Sequence, residues 1–170
     1  AAENIRTILE GPAGQPNAAR LVVGVGTGFN AAPVFDLEQG RVVTPSESGH
    51  ANLPIRNEME LRLCQYVSTA HGFPAVEDVL SGRGLERAYA FLGHEADDPR
   101  ECAAKDIMAA CAAGSDARAE GAARLFTRIL GTVCGNLSLI QLPFGGVYLA
   151  GGVAPALAPP LNTFGFGDAL

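Results

Sequence analysis

Hydrophobic positions along this chain change period twice, and the changes mark off its elements. From Arg20 to Gly26 apolar, β-branched residues run almost unbroken between polar and glycine boundaries, the pattern of a buried strand. Thr27-Gly28 predicts a sharp turn, and Ala31 to Leu37 a second strand running back. Glu38-Gln39-Gly40 is a tight hairpin connection, with Arg41-Val42-Val43-Thr44 as the third strand. The prediction is a β-meander. A dinucleotide fingerprint would instead place a helix directly after the glycine turn.

From Asn57 the period becomes helical. Asn57 with Glu60 resembles a capping box, and Met59, Leu63, Val67 and Ala70 form one apolar stripe until Gly72 and Pro74 stop it. Leu85, Ala88, Tyr89 and Leu92 predict a helix over 83–93, with Ser81 as a candidate N-cap. Asp97 to Arg100 reads as a polar loop, and a short helix follows around Ile107 and Cys111, closed by Gly114. The longest element starts at Ser115 or Asp116. Its stripe is Ala122, Leu125, Ile129, Val133, Leu137 and Ile140. Gly131 and Gly135 lie four apart on it; each costs about 1 kcal/mol relative to alanine, so a close neighbour is expected there.

Gly145 to Gly152 then predicts a buried strand emptying into a glycine turn, with a further helix after it. Residues 1–18 form a loop region marked by Gly11-Pro12-Ala13-Gly14, and Thr163 to Leu170 carry no clear pattern. The order is α/β: meander, helical block, long helix, strand, helix. Two glycine turns fall at strand ends, where open α/β sheets place their ligands.

Composition narrows the function classes. The 170 residues are 48% hydrophobic, ordinary for a globular protein. No apolar run approaches the roughly 20 residues of a membrane span, and no charged-then-apolar leader opens the chain, so a cytoplasmic protein away from membranes is expected. The net charge of −6 argues against nucleic acid as a partner. A nucleotide would have to be met by backbone N–H groups and a metal ion. Cys64, Cys102, Cys111 and Cys134 are widely spaced, which points to reduced thiols rather than zinc ligands; Cys64 and Cys111 lie on apolar helix faces.

Four segments carry candidate chemistry. Gly24-Val25-Gly26-Thr27-Gly28 lets backbone N–H groups approach a phosphate, and equally serves as a tight turn between strands. In Ser46-Glu47-Ser48-Gly49-His50 a carboxylate and an imidazole suit a polyhydroxylated ligand; the plain alternative is a solvated loop. Glu77-Asp78-Val79-Leu80-Ser81-Gly82 reads as a helix-to-helix joint with an acidic pair. Gly145 to Gly152 leaves room for a flat base or ribose beside the backbone, or is simply a strand before a helix start.

Taken in order, these segments resemble the bacterial glucokinases of the actin-like sugar-kinase superfamily. Gly26-Thr27-Gly28 is similar to that family's second phosphate hairpin. Ser46-Glu47-Ser48-Gly49-His50 resembles its E-G-G-H sugar loop, and Glu77 to Gly82 its E-x-V-L-S-G turn. Gly145-Gly146-Val147-Tyr148-Leu149-Ala150-Gly151-Gly152 resembles its adenosine motif. The likeness runs from about residue 18 to about 156. It implies an RNase H-like (actin-like ATPase) lobe over residues 19–170, with 1–18 as a loop or the remnant of an inter-lobe connection.

The same resemblance implies site roles. Glu47, His50 and Glu77 would bind sugar hydroxyls. Gly26, Thr27 and Gly28 would meet nucleotide phosphates, with Gly151 and Gly152 near the adenosine. The implied reaction moves the γ-phosphoryl group of ATP, with Mg²⁺, to the C6 hydroxyl of glucose or a similar hexose. A homodimer goes with the family. So do two other readings: a non-catalytic sugar-binding regulator, and a kinase for another hexose. No cysteine-rich zinc motif follows His50, which favours the glucokinase branch. Two positions depart from the pattern: Ser48 stands for a loop glycine, and Asn30 for a glycine after the hairpin, where tolerance of positive φ would preserve the geometry. None of Asp36, Asp78, Asp97, Asp98, Asp106, Asp116 and Asp168 stands in the family's Asn-Asp context. The catalytic base is therefore expected upstream of residue 18, in an N-terminal lobe absent here, and this chain alone is expected to be inactive.

Overall fold

A computed structural model describes residues 5–11, 13–15, 17–67 and 72–170. Its β-meander is β1 (Arg20–Val25), β2 (Phe29–Leu37) and β3 (Gly40–Val43). The pairing is antiparallel, with Val25 opposite Phe29 at the first turn and Leu37 opposite Gly40 at the second. On β1, Leu21, Val23 and Val25 are buried while Val22 is exposed, the alternation of a strand covered on one face.

The helices are α1 (Glu58–Tyr66), α2 (Val76–Val79), α3 (Gly82–Glu95), α4 (Ala104–Ala113) and α5 (Ala117–Gln141). Caps account for their ends. Asn57 Oδ1 accepts from Glu60 N, Ser81 Oγ from Gly84 N, and Asp116 from Arg118 N, while Gly114 stops α4 in the left-handed conformation. The Asn57 cap differs from a standard box: the Glu60 carboxylate returns to Arg56 N and to Asn57 Nδ2. That draws Glu60 inward, and Met59, expected on the apolar stripe, faces outward instead. The helix ends at Tyr66, before Gly72; Ala70 lies outside the described residues, as does Pro12 of the first loop.

Leu85 and Phe91 of α3, Ile107 of α4, and Phe126, Ile129 and Leu130 of α5 join the inner face of β1 in one core. Fully burying such a side chain is worth about 1.5–3 kcal/mol. The α5 stripe holds through Val133. Leu137 is half-buried, and Ile140 is exposed because the last turn of α5 runs past the elements that cover the rest. Cys64 and Cys111 pack against this core, and burial pushes the Cys134 thiol up to about 12.

Beyond α5, β4 (Val147–Ala150) pairs parallel with β1, giving the order β3-β2-β1-β4. The expectation of a buried strand is corrected here. Within the described sheet β4 lies at an edge, and Val147 and Ala150 are exposed. Then come α6 (Ala154–Thr163) and α7 (Phe166–Ala169). The close neighbour of the α5 glycines is this C-terminal segment: a Cβ at Gly131 would meet Phe166 O at 2.6 Å, and one at Gly135 would meet Leu170 O at 2.2 Å. Arg56 secures the same segment by donating to Ala169 O. No helix among the described residues is long and apolar enough to cross a membrane.

Candidate functional site

The loop after β3 brings two of the predicted residues together. Ser48–His50 form a short 3-10 turn, and His50 Nδ1 lies 3.5 Å from Glu47 Oε2. His50 Nε2 lies 3.2 Å from Glu77 Oε1. The imidazole thus sits between two carboxylates that are far apart in sequence. A short antiparallel bridge joins the segments: Val76 N donates to Ala51 O, and Leu53 N to Pro74 O. Glu77, in the first turn of α2, is thereby fixed opposite His50.

Glu77 and Asp78, adjacent in sequence, part company. Asp78 is buried, accepting from Ala75 N and from Arg87, which ties α2 to α3. Glu77 faces the loop. Gly49 makes this approach possible, since a Cβ there would stand 2.1 Å from Phe29 O.

The loop is also pinned to β2. Ser48 N and Ser48 Oγ both donate to Asn30 Oδ1, Ala31 N donates to Ser48 Oγ, and Asn30 Nδ2 donates to Ser46 O. Asn30 is not a positive-φ residue, so the expectation that it preserves the hairpin by adopting that conformation is corrected. It is paired as a strand residue opposite Gly24, and its side chain rather than its backbone accounts for it.

The β1–β2 turn stands next to this cluster. Gly26 N donates to Gly28 O, closing the tip, and Thr27 is exposed there. A Cβ on Gly28 would lie 3.0 Å from Glu77 Oε2, so the glycine hairpin and the carboxylate are immediate neighbours. On the other side Gly82 N, at the start of α3, donates to Gly26 O. Gly151 has φ +105°, and a Cβ there would strike Val25 O at 2.3 Å. Its turn delivers Gly152 beside Gly26 and lets Val153 N donate to Val25 O.

Between these turns opens a cavity of about 710 Å³, whose walls include Gly26, Thr27, Gly82, Arg83, Gly152 and Val153. The sequence motifs assign no site role to Gly82, Arg83 or Val153. The Ser81 N-cap was the available signal, since it fixes where α3 begins and which residues its first turn presents. The cradle suits a nucleotide: three chain segments approach without side chains between them, and the first turn of α3 faces the space. No aspartate is among its lining residues; the carboxylate there is Glu86, which accepts from Ala104 N. Asp36 pairs with Arg20 and Arg41, Asp98 with Arg118 and Arg100, and Asp116 with Tyr89.

Known proteins match this chain in sequence and fold. The Glucokinase family model matches residues 1–170. The glucokinase of Nostoc sp. is 35% identical over 177 residues, covering 89% of this chain and 51% of that protein. A glucokinase-like protein of Xylella fastidiosa is 34% identical over 154 residues, covering 90% and 46%. The chain thus spans about half the length of these curated relatives. The crystal structure of a glucokinase from an Antarctic psychrotroph superposes with a TM-score of 0.84 at 26% identity, over 95% of this chain and 50% of that one. A Streptomyces griseus ROK family glucokinase, solved with glucose and AMPPNP, matches in fold with a TM-score of 0.62 at 21% identity, over 92% of this chain and 52% of that one. The fold is that of an RNase H-like, actin-like ATPase lobe, and the chain belongs to the glucokinase family.

Proposed function

We propose that the protein containing this chain phosphorylates glucose at C6 with ATP, and that residues 19–170 supply sugar and nucleotide binding. One observation carries the reading: the carboxylate–imidazole cluster and the glycine hairpin adjoin at Gly28 and Glu77, so a hydroxyl acceptor and a phosphate donor would meet there. Glu47 and Glu77 accept hydrogen bonds from sugar hydroxyls, and His50 donates or accepts according to its tautomer. Gly26, Thr27 and Gly28 hold phosphates through backbone N–H groups and the Thr27 hydroxyl, while Gly151 and Gly152 leave room for the adenosine.

ATP supplies the phosphoryl group. Mg²⁺ would offset the phosphate charge, and no residue of this chain is assigned to hold it. Holding acceptor and donor in line is the chain's contribution to the rate. The proton acceptor for the C6 hydroxyl is likewise assigned to no residue here. Homodimer formation and a cytoplasmic location accompany this reading as family expectations.

The test is formation of glucose 6-phosphate from glucose and ATP, followed by mass spectrometry. The parent protein should form it, its Glu77→Gln variant should need more glucose, and the 170-residue chain should bind without turnover. Robust turnover by the chain alone, or a parent that phosphorylates no hexose, contradicts the assignment.

A further inference from the structure

The cavity between the glycine turns has a charged wall that the motifs do not explain. Arg83 lies in the first turn of α3, adjacent to Gly82, whose N–H is bonded to Gly26 O at 2.8 Å. Its backbone is therefore fixed against the hairpin. Its neighbours on the helix are committed. Arg87 donates to Asp78 Oδ1 and Asp78 O, and the Glu86 carboxylate accepts from Ala104 N, capping α4. Arg83 is exposed, and among the described residues no ion pair or hydrogen bond engages its guanidinium.

Helix stability does not account for this cation. Positive charge in a first turn opposes the helix dipole, which favours anions there. The arrangement becomes favourable once an anion enters, because the guanidinium, the α3 N-terminus and the hairpin then act on the same charge. The chain as a whole carries −6, so a polyanion needs a local cation to offset general repulsion. Arg83 also borders a second cavity of about 680 Å³, shared with Arg87 and with the carboxylates Glu86 and Glu101.

We propose that Arg83 binds the polyphosphate chain of the nucleotide, acting as a charge clamp opposite the Gly26-Thr27-Gly28 hairpin. This rests on the nucleotide reading above and adds a residue that reads phosphate number. A planar guanidinium can engage two phosphate oxygens at once, whereas an ammonium at the same place would act as a point charge. ATP and ADP should depend on it, and adenosine should not.

The experiment titrates the 170-residue chain with ATP, ADP, AMP and adenosine by calorimetry at fixed low salt. Arg83→Gln, Arg83→Lys and the distant Arg41→Gln are run alongside, with circular dichroism confirming folding. Arg83→Gln is expected to weaken ATP and ADP by about tenfold and adenosine by less than about twofold. Arg83→Lys should recover part of the loss, and Arg41→Gln should change nothing. Equal loss for ATP and adenosine, or unchanged ATP binding in Arg83→Gln, overturns the clamp while the nucleotide site stands. A wild-type chain that binds none of the four overturns the nucleotide reading, and the clamp with it.

Discussion

Asn30 and Ser48 hold each other. The Ser48 hydroxyl donates to Asn30 Oδ1 at 2.9 Å while accepting from Ala31 N at 2.8 Å, and Ser48 N donates to the same Asn30 oxygen at 3.1 Å. These are the two positions where the chain departs from the glycines of the family pattern. They are one interaction: a strand residue just past the glycine hairpin clamps the loop that carries Glu47 and His50.

The pair should behave as coupled. Asn30→Gly and Ser48→Gly are each expected to weaken glucose binding several-fold. The double variant should lose about 1 kcal/mol less than the sum of the singles. A double-mutant cycle on glucose affinity measures this, and strict additivity would show that the two positions act independently.

Gly49 tests the geometry of the same loop. Its missing Cβ would stand 2.1 Å from Phe29 O and 3.5 Å from Glu77 Cβ. Gly49→Ala should therefore displace the turn from β2, costing about 2–3 kcal/mol in urea unfolding and removing sugar binding. Gly40, where nothing lies within 4 Å of an added Cβ but φ is +130°, is the contrasting site. Gly40→Ala should cost stability through backbone strain and leave sugar binding intact.

Stability should fall in acid for a defined reason. The Tyr89 hydroxyl, donating at 2.8 Å, holds the Asp116 carboxyl below the usual carboxylate range, with the Arg118 backbone N–H assisting. Arg118 does the same for Asp98. A depressed folded-state pKa gives stability that is present above the unfolded value of about 3.9 and disappears as pH falls through the folded value. Thermal melts of the wild type should drop steeply below about pH 4, and those of Asp116→Asn more gently. The Asp116 carboxylate also raises the Tyr89 pKa. That contribution is present below about pH 10 and lost as pH rises further.

Thr127 is fully buried in α5, and among the described residues its hydroxyl has no hydrogen-bond partner. Thr127→Val keeps the shape and removes the unsatisfied group. It should raise unfolding stability by about 1 kcal/mol, measured in urea.

What could be read from the sequence follows a physical division. Strand and helix periods, the Ser81 cap, a cap at Ser115 or Asp116 and the crowding at Gly131 and Gly135 are local or repeat-based, and they were legible; the structure settles the cap on Asp116. Met59 and Ile140 are exposed despite fitting the apolar stripes, because periodicity records which residues are apolar, not what lies opposite them. The edge position of β4 depends on sheet order, which its own eight-residue motif does not encode. Residue type alone does not separate the adjacent Glu77 and Asp78; the resemblance points to Glu77, and the bridge from Ala51 to Val76 is what sets it opposite His50. Arg83 carried no motif signal, because its role depends on two turns that converge only in three dimensions.

Under the proposed function, Glu47, His50 and Glu77 form a glucose site on this chain. The most direct measurement is a glucose titration of the ¹⁵N-labelled chain, followed residue by residue through its amide resonances. Saturable shifts should concentrate at Ser48, Gly49, His50 and Glu77, weaken in Glu77→Gln and be absent with an acyclic polyol. Shifts that fail to saturate, that persist unchanged in Glu77→Gln, or that cluster around Tyr66 and Cys102 would contradict it.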